Sequence, residues 1–267
     1  MKKRLGFLLV LGCALASSQI AAQAGNVAEK QVRSQVFGRD RKVWVYTPPA
    51  YDARGKQYDL VVAFDGSDYT SVMALPKILD SLTKAHKIPP MVAVMIDDSS
   101  GAVRLGDLAN QPNFVKFLST ELIPWVRGQY NVTRDPHRTI ITGSSAGGLA
   151  AAYAAMLHPE LFGKVLSQSG AFWRGYAASN SAPYEWLTTQ YAAQPRRDIR
   201  FFVDVGSRET NHAAGSGPVF IEAVRRFRDV LRAKGYALTY AEVPGGVHAP
   251  ETWVKRLPVG LETLAGS

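Results

Sequence analysis

Short apolar runs alternate with amphipathic stretches along most of the chain. Leu60–Phe64 and Met91–Ile96 are unbroken and of strand length, the pattern of strands buried on both faces. Thr139–Thr142, Lys164–Ser167, Arg200–Val205 and Leu238–Val243 follow the same rule. Near the start, Val32–Phe37 and Lys42–Pro48 read as two opening strands joined by a turn at Gly38-Arg39-Asp40. Phe114, Phe117, Leu118, Leu122, Trp125 and Val126 recur at helical spacing. Asn113–Tyr130 is therefore expected as one helix with a single apolar stripe, kinked at Pro124. Leu149–Leu157 is Ala-rich and stops at His158-Pro159. Phe220–Ala233 puts Arg225, Arg226, Arg228 and Arg232 on its wet side and ends at Gly235. This alternation predicts an α/β protein with a mostly parallel sheet of about eight strands and helices on both faces.

With 267 residues, 46% hydrophobic and 20% charged, and no repeat or linker-like tract, one folded domain over residues 25–267 is expected. The first 24 residues read differently. Met1-Lys2-Lys3-Arg4 is a basic start, Leu5–Ala16 an apolar stretch, and Ala22-Gln23-Ala24 a small-x-small cleavage pattern, so residues 1–24 read as a signal peptide. A periplasmic or secreted product follows. Val10-Leu11-Gly12-Cys13 loosely resembles a lipoprotein box, but Leu11 fits it poorly and Cys13 comes early, so lipid anchoring ranks second. Cys13 is the only cysteine, so the processed chain would have no disulfide, thiolate nucleophile or Cys-based zinc site. Of the formal +9 charge, Lys2, Lys3 and Arg4 belong to the leader, and the remaining basic residues are scattered. That balance mildly favours anionic ligands and argues against nucleic acid as a partner. No stretch after processing is long and apolar enough to span a bilayer.

Gly143-Ser144-Ser145-Ala146-Gly147 matches G-x-S-x-G, the nucleophile elbow in which a strand turns sharply into a helix with serine at the apex. The bare pattern is common by chance. Here a strand leads in and a helix leads out, which is the context the α/β-hydrolase fold requires. A serine hydroxyl needs a base. Of five histidines, His86, His137 and His158 fall at helix ends or before a strand, and His212 lies in a loop. His248 alone follows the last strand, where the order serine, acid, histidine places the base. Glu209, on the loop after the penultimate strand, is the expected acid, with Asp204 inside that strand as its competitor. The N–H of Ala146 and that of Ser67, after the strand ending at Phe64, are the expected oxyanion donors, with Gly66 letting the chain pass close. This chemistry calls for no cofactor and no metal.

Together these motifs resemble the enterochelin-esterase-like branch of the α/β-hydrolases. The likeness runs from about Lys42 to Val254. It rests on Phe64-Asp65-Gly66, Arg104 with Asp107-Leu108, Glu121-Leu122-Ile123-Pro124-Trp125, Asp135-Pro136-His137-Arg138 and Gly143–Gly148. It continues through His158–Phe162, Ser167–Trp173 and Gly245–Trp253. The resemblance implies hydrolysis of trilactone catecholate siderophores, with iron arriving as part of an anionic small-molecule substrate. It links Arg104 to the substrate pocket, and Gly66 and Trp173 are expected there too. Phe172–Trp186, with Tyr176 and Tyr184, reads equally as an aromatic cap or as a core loop. Three departures stand out: Asp107 where Glu is commoner, Arg174 where a second Trp often follows Trp173, and Val247 before His248. Two other readings stay open: a general or polysaccharide-directed esterase acting on feruloyl or acetyl esters, and a non-catalytic ligand-binding protein.

Overall fold

A computed structural model describes residues 24–97, 101–177, 183–213 and 215–266. Of residues 1–24, read above as a signal peptide, all but Ala24, and with them Cys13, lie outside the described residues. Among them, no helix is long and apolar enough to cross a membrane.

Eight strands among the described residues form one sheet: β1 (Asn26–Ser34), β2 (Arg39–Thr47), β3 (Asp59–Ala63), β4 (Met91–Ile96), β5 (Thr139–Ser144), β6 (Lys164–Gln168), β7 (Arg200–Gly206) and β8 (Ala237–Val243). Their order is β1-β2-β4-β3-β5-β6-β7-β8. From β4 to β8 neighbours pair in parallel, while β2 is antiparallel to both β1 and β4. The expected α/β-hydrolase sheet is present. The period of two along each strand sorts its side chains into two cores. Leu60, Val62, Val92, Val94 and Ile96 face one, and Val61, Ala63, Met91, Ala93 and Met95 the other. On the first face lie α4 (Pro112–Phe117), α6 (Ala146–Leu157) and α8 (Phe220–Ala233); on the second lie α2 (Leu75–Lys84) and α9 (Pro250–Ala265).

Three expectations need correction. The first strand begins at Asn26, well before Val32, because β1 is an edge strand whose early residues are exposed on both faces and show no apolar alternation. The turn closes at Gly38, which has φ 64°, so Arg39 and Asp40 already belong to β2. The Asn113–Tyr130 helix is divided. A π-helical turn at Leu118–Leu122 separates α4 from α5 (Ile123–Gln129). Pro124 offers no N–H and its ring crowds the carbonyl of residue 120, so the wider turn upstream absorbs the misfit where a simple kink was expected. That turn aims Glu121 outward, and one carboxylate oxygen accepts the N–H groups of Gln35 and Val36 at 2.9 and 3.0 Å, bracing the β1–β2 turn.

Two further short helices matter to the site: α1 (Gly66–Thr70), after β3, and α3 (Gly101–Leu108). The latter is anchored by Asp107, whose carboxylate meets Arg41 at 2.8 Å with both side chains nearly sealed from solvent. The Arg41 guanidinium also lies 4.7 Å from the Phe37 ring centre and 5.4 Å from that of Phe117. Removing one member of such a pair strands the other in a low-dielectric setting. Asp107→Ala is expected to lower the unfolding free energy by about 3–5 kcal/mol in urea denaturation. A loss below about 1 kcal/mol would contradict an anchoring role for the pair.

Candidate active site

The parallel strands diverge between β3 and β5, whose connections leave in opposite directions, and a ligand crevice forms at such a switch point beyond the strand ends. Ser145 stands there, between β5 and α6, with φ 57° and ψ −119°. A β-carbon at Gly143 would sit 2.5 Å from the Gly147 carbonyl carbon, so only glycine lets the helix start this close to the strand. Main-chain bonds hold the strained residue: Ser145 N–H donates to Gln168 O at 2.9 Å, and Ser145 O accepts from Ala171 N–H at 2.9 Å.

His248 follows β8 and reaches Ser145, with Nε2 2.9 Å from Oγ. Its Nδ1 lies 2.6 Å from Glu209 Oε2. A carboxylate only accepts, so Nδ1 carries the proton and Nε2 is left as an acceptor facing the serine hydroxyl. Glu209 is buried, and its other oxygen accepts from Ser169 Oγ at 2.6 Å and Gly206 N–H at 2.7 Å. Ser169 Oγ in turn accepts the Trp253 indole N–H at 2.9 Å. The loops bearing Glu209 and His248 are tied together: Arg208 N–H donates to Gly246 O and Ser207 N–H to Val243 O, both at 3.0 Å. Phe220 and Trp253 pack edge-on to the imidazole, with ring centres 4.6 and 5.0 Å away. The imidazole itself keeps 36% of its side chain open to solvent.

Of the two candidate acids, Glu209 meets the histidine. Asp204 lies beneath the loop at 1% exposure, 3.4 Å from Gln168 Nε2 and 3.9 Å from Arg256. Burial dominates its environment and pushes its pKa up to about 7, against the smaller opposing effects of Gln168 and Arg256.

Against this geometry, the comparisons with known proteins are consistent. The Esterase family profile, described as "Putative esterase", matches residues 34–264. The chain belongs to this esterase family. It is 28% identical over 244 residues to the iron(III) enterobactin esterase of Escherichia coli (strain K12), covering 91% of this chain and 58% of that protein. The enterobactin esterase of Shigella flexneri, crystallised in the presence of enterobactin, superposes with a TM-score of 0.77 at 28% identity, over 90% of this chain and 59% of that one. The chain thus spans less than two thirds of the length of these relatives. A ferulic acid esterase from Anaeromyces mucronatus shares the fold, with a TM-score of 0.70 at 18% identity over 94% of each chain.

Other expected site residues of this family member are distributed unevenly. Ala146 and Trp173 line the same pocket as Ser145, Glu209 and His248, a cavity of about 300 Å³. Arg104 does not: on α3, its Nη2 bonds Asp65 Oδ2 at 2.7 Å and contacts Ser144 O at 3.4 Å. It lines a neighbouring depression of about 410 Å³, and Ser67 lines that depression too. Gly66 turns toward β4, where a β-carbon would sit 2.7 Å from Met95 O, so its small size serves the close approach of two chain segments. The aromatic segment divides between the two readings. Phe172 is core, stacked at 3.8 Å on Phe227, Trp173 lines the pocket, and Tyr176 lies exposed over Trp186; residues 178–182 lie outside the described residues. Sequence reasoning gave no role to Ser169, Phe220 or Trp253. Ser169 and Trp253 sit inside motifs already singled out, but nothing in their spacing shows that they meet behind Glu209. His212, in a loop as the sequence indicates, is exposed and borders the pocket, with Nδ1–H donating to Gly217 O at 2.7 Å.

The raised pKa of Asp204 has a thermodynamic consequence. Between the ordinary carboxyl value near pH ~4 and about pH 7, the folded chain retains a proton that the unfolded chain has released. Stability contributed by this group therefore falls as pH rises through that window. Asp204→Asn is expected to flatten the pH dependence of the melting temperature between about pH 4 and 7. An unchanged slope would refute the assignment.

Proposed function

We propose that the chain is a serine esterase acting through an acyl-enzyme on ester bonds of a trilactone catecholate siderophore, with iron carried in by the substrate. The hydrogen-bonded line Ser145–His248–Glu209 carries this reading. As the Ser145 oxygen attacks the ester carbonyl, His248 Nε2 takes its proton from 2.9 Å. Glu209 holds the imidazole in the competent tautomer and stabilises the imidazolium that forms. Negative charge developing on the carbonyl oxygen meets the N–H of Ala146, the first residue of the 12-residue helix α6, whose N-terminal dipole adds to the attraction. Ser67, at the β3–α1 corner, is the proposed second donor. The imidazolium protonates the leaving alcohol, and water assisted by His248 then releases the acyl group.

The substrate class is supported by the enterobactin esterases among the relatives. A pocket of about 300 Å³ is at the lower end of the range for small-molecule sites, which suits one acyl unit inserted while the rest of the molecule stays outside. The leader-like residues 1–24 support a periplasmic or secreted site of action, and residues 25–267 are proposed as one hydrolase domain.

Mass spectrometry of mixtures with ferric and iron-free trilactone, linear trimer, feruloyl and acetyl esters tests the reading. Release of catechoyl-serine units is expected, and cleavage of only the feruloyl or acetyl esters would redirect it to plant polysaccharides. Turnover of none, with no labelling by a fluorophosphonate, would favour a ligand-binding protein. Ser145→Ala should abolish turnover with its melting temperature preserved, and near-full activity in that variant would sink the assignment. Glu209→Gln is expected to lower kcat more than Asp204→Asn, and the reverse ranking would transfer the acid role.

A further inference from the structure

Cleavage after Ala22-Gln23-Ala24 would leave Gly25 as the first residue. Its backbone N–H lies 3.2 and 3.1 Å from the two carboxylate oxygens of Asp80, a half-buried residue on α2. A β-carbon at Gly25 would overlap the ring of Tyr46 and lie 2.6 Å from Thr47 O, so only glycine lets the chain come this close. Tyr46, buried on β2, donates its hydroxyl to Asp80 Oδ1 at 2.7 Å. Burial, and secondarily the Asp80 carboxylate, push the Tyr46 pKa well above its ordinary value. The phenol therefore remains a donor throughout the range in which an α-amine titrates. One carboxylate oxygen is held by a fixed neutral donor, and both face the Gly25 nitrogen.

In the uncleaved chain that nitrogen is an amide with one proton and no formal charge. Cleavage would make it an ammonium at the same place. Its contact with Asp80 would change from a neutral-donor hydrogen bond to an ion pair with spare protons, a stronger class of interaction. Lys77 and Lys84, one turn to either side of Asp80 on α2, also line the depression here, but both are exposed and solvent screens their charges. An α-amine titrates near pH ~8, and a neighbouring carboxylate raises that value in the folded chain. Stability from the pair is therefore fully present below about pH 8 and is lost as pH rises through the folded value.

We propose that Asp80 is a docking site for the α-ammonium group of Gly25, completed when the leader is removed, and that the pair fastens the start of β1 to α2. This rests on the reading of residues 1–24 as a signal peptide and gives their removal a structural consequence. The full chain is exported from a bacterial host, and N-terminal sequencing of the purified protein is expected to find Gly25 first. Acetylation near pH ~6.5, where an α-amine reacts ahead of lysine, then restores a neutral amide at Gly25, with the acetyl group standing in for the Ala24 carbonyl. At about pH 6 this is expected to lower the melting temperature by about 2–4 °C. The loss should vanish by about pH 10, and in Asp80→Asn it should stay below about 1 °C at either pH. If that variant does not fold, the pH dependence of the loss in the unsubstituted chain decides. A loss that is absent at pH ~6, undiminished at pH ~10 or retained in Asp80→Asn overturns the docking site, while a Gly25 start leaves the signal-peptide reading standing. A processed chain that begins elsewhere also overturns the docking site. A chain exported whole removes the signal-peptide reading with it.

Discussion

The constraint on which the site depends is the tight junction of β5 with α6. The helix begins so near the strand end that a side chain at Gly143 would overlap the backbone of Gly147, and Ser145 is driven to positive φ between them. For a residue other than glycine such a conformation costs on the order of 1–3 kcal/mol, and it persists only where the surroundings over-determine it. Gln168 and Ala171 supply that restraint through the serine's own N–H and carbonyl. The strain lifts Oγ clear of the sheet and leaves the first amides of α6 facing the same space. Exposure of the hydroxyl and the nearby N–H donors thus follow from a single steric fact.

Two carboxylates lie close together behind this junction, and their surroundings divide their work. Glu209 accepts from Ser169 and Gly206 through one oxygen and meets His248 through the other, so both oxygens are engaged in the relay. Asp204 has a distant Gln168 and a more distant Arg256, and burial dominates. The first can orient an imidazole. The second serves the packing between β7 and α9.

Much of the sheet was legible because strands covered on both faces must be apolar throughout. β4 is bounded as its apolar run predicts, and β3 within one residue at either end. β1 was only partly legible, since an edge strand with two wet faces lacks the signal. Helix α9 was missed because Pro258 lies inside it and reads as a breaker. Ser145 and His248 were legible from motif and strand order. The choice of Glu209 over Asp204 depended on five residues of loop path, which sequence pattern weighs poorly. Arg104 was nominated through the family resemblance, and no pattern in the sequence showed that Asp65 would hold its guanidinium beside the adjoining depression. Arg174, noticed only as a departure, turned out to line the cavity.

Ser145 and His248 are 103 residues apart, and the relay needs β7 and β8 docked in parallel beside β6 before it can close. A chain folded only through β6 would hold Ser145 at its elbow with neither Glu209 nor His248 beside it. Closure of the relay is therefore a property of the completed sheet.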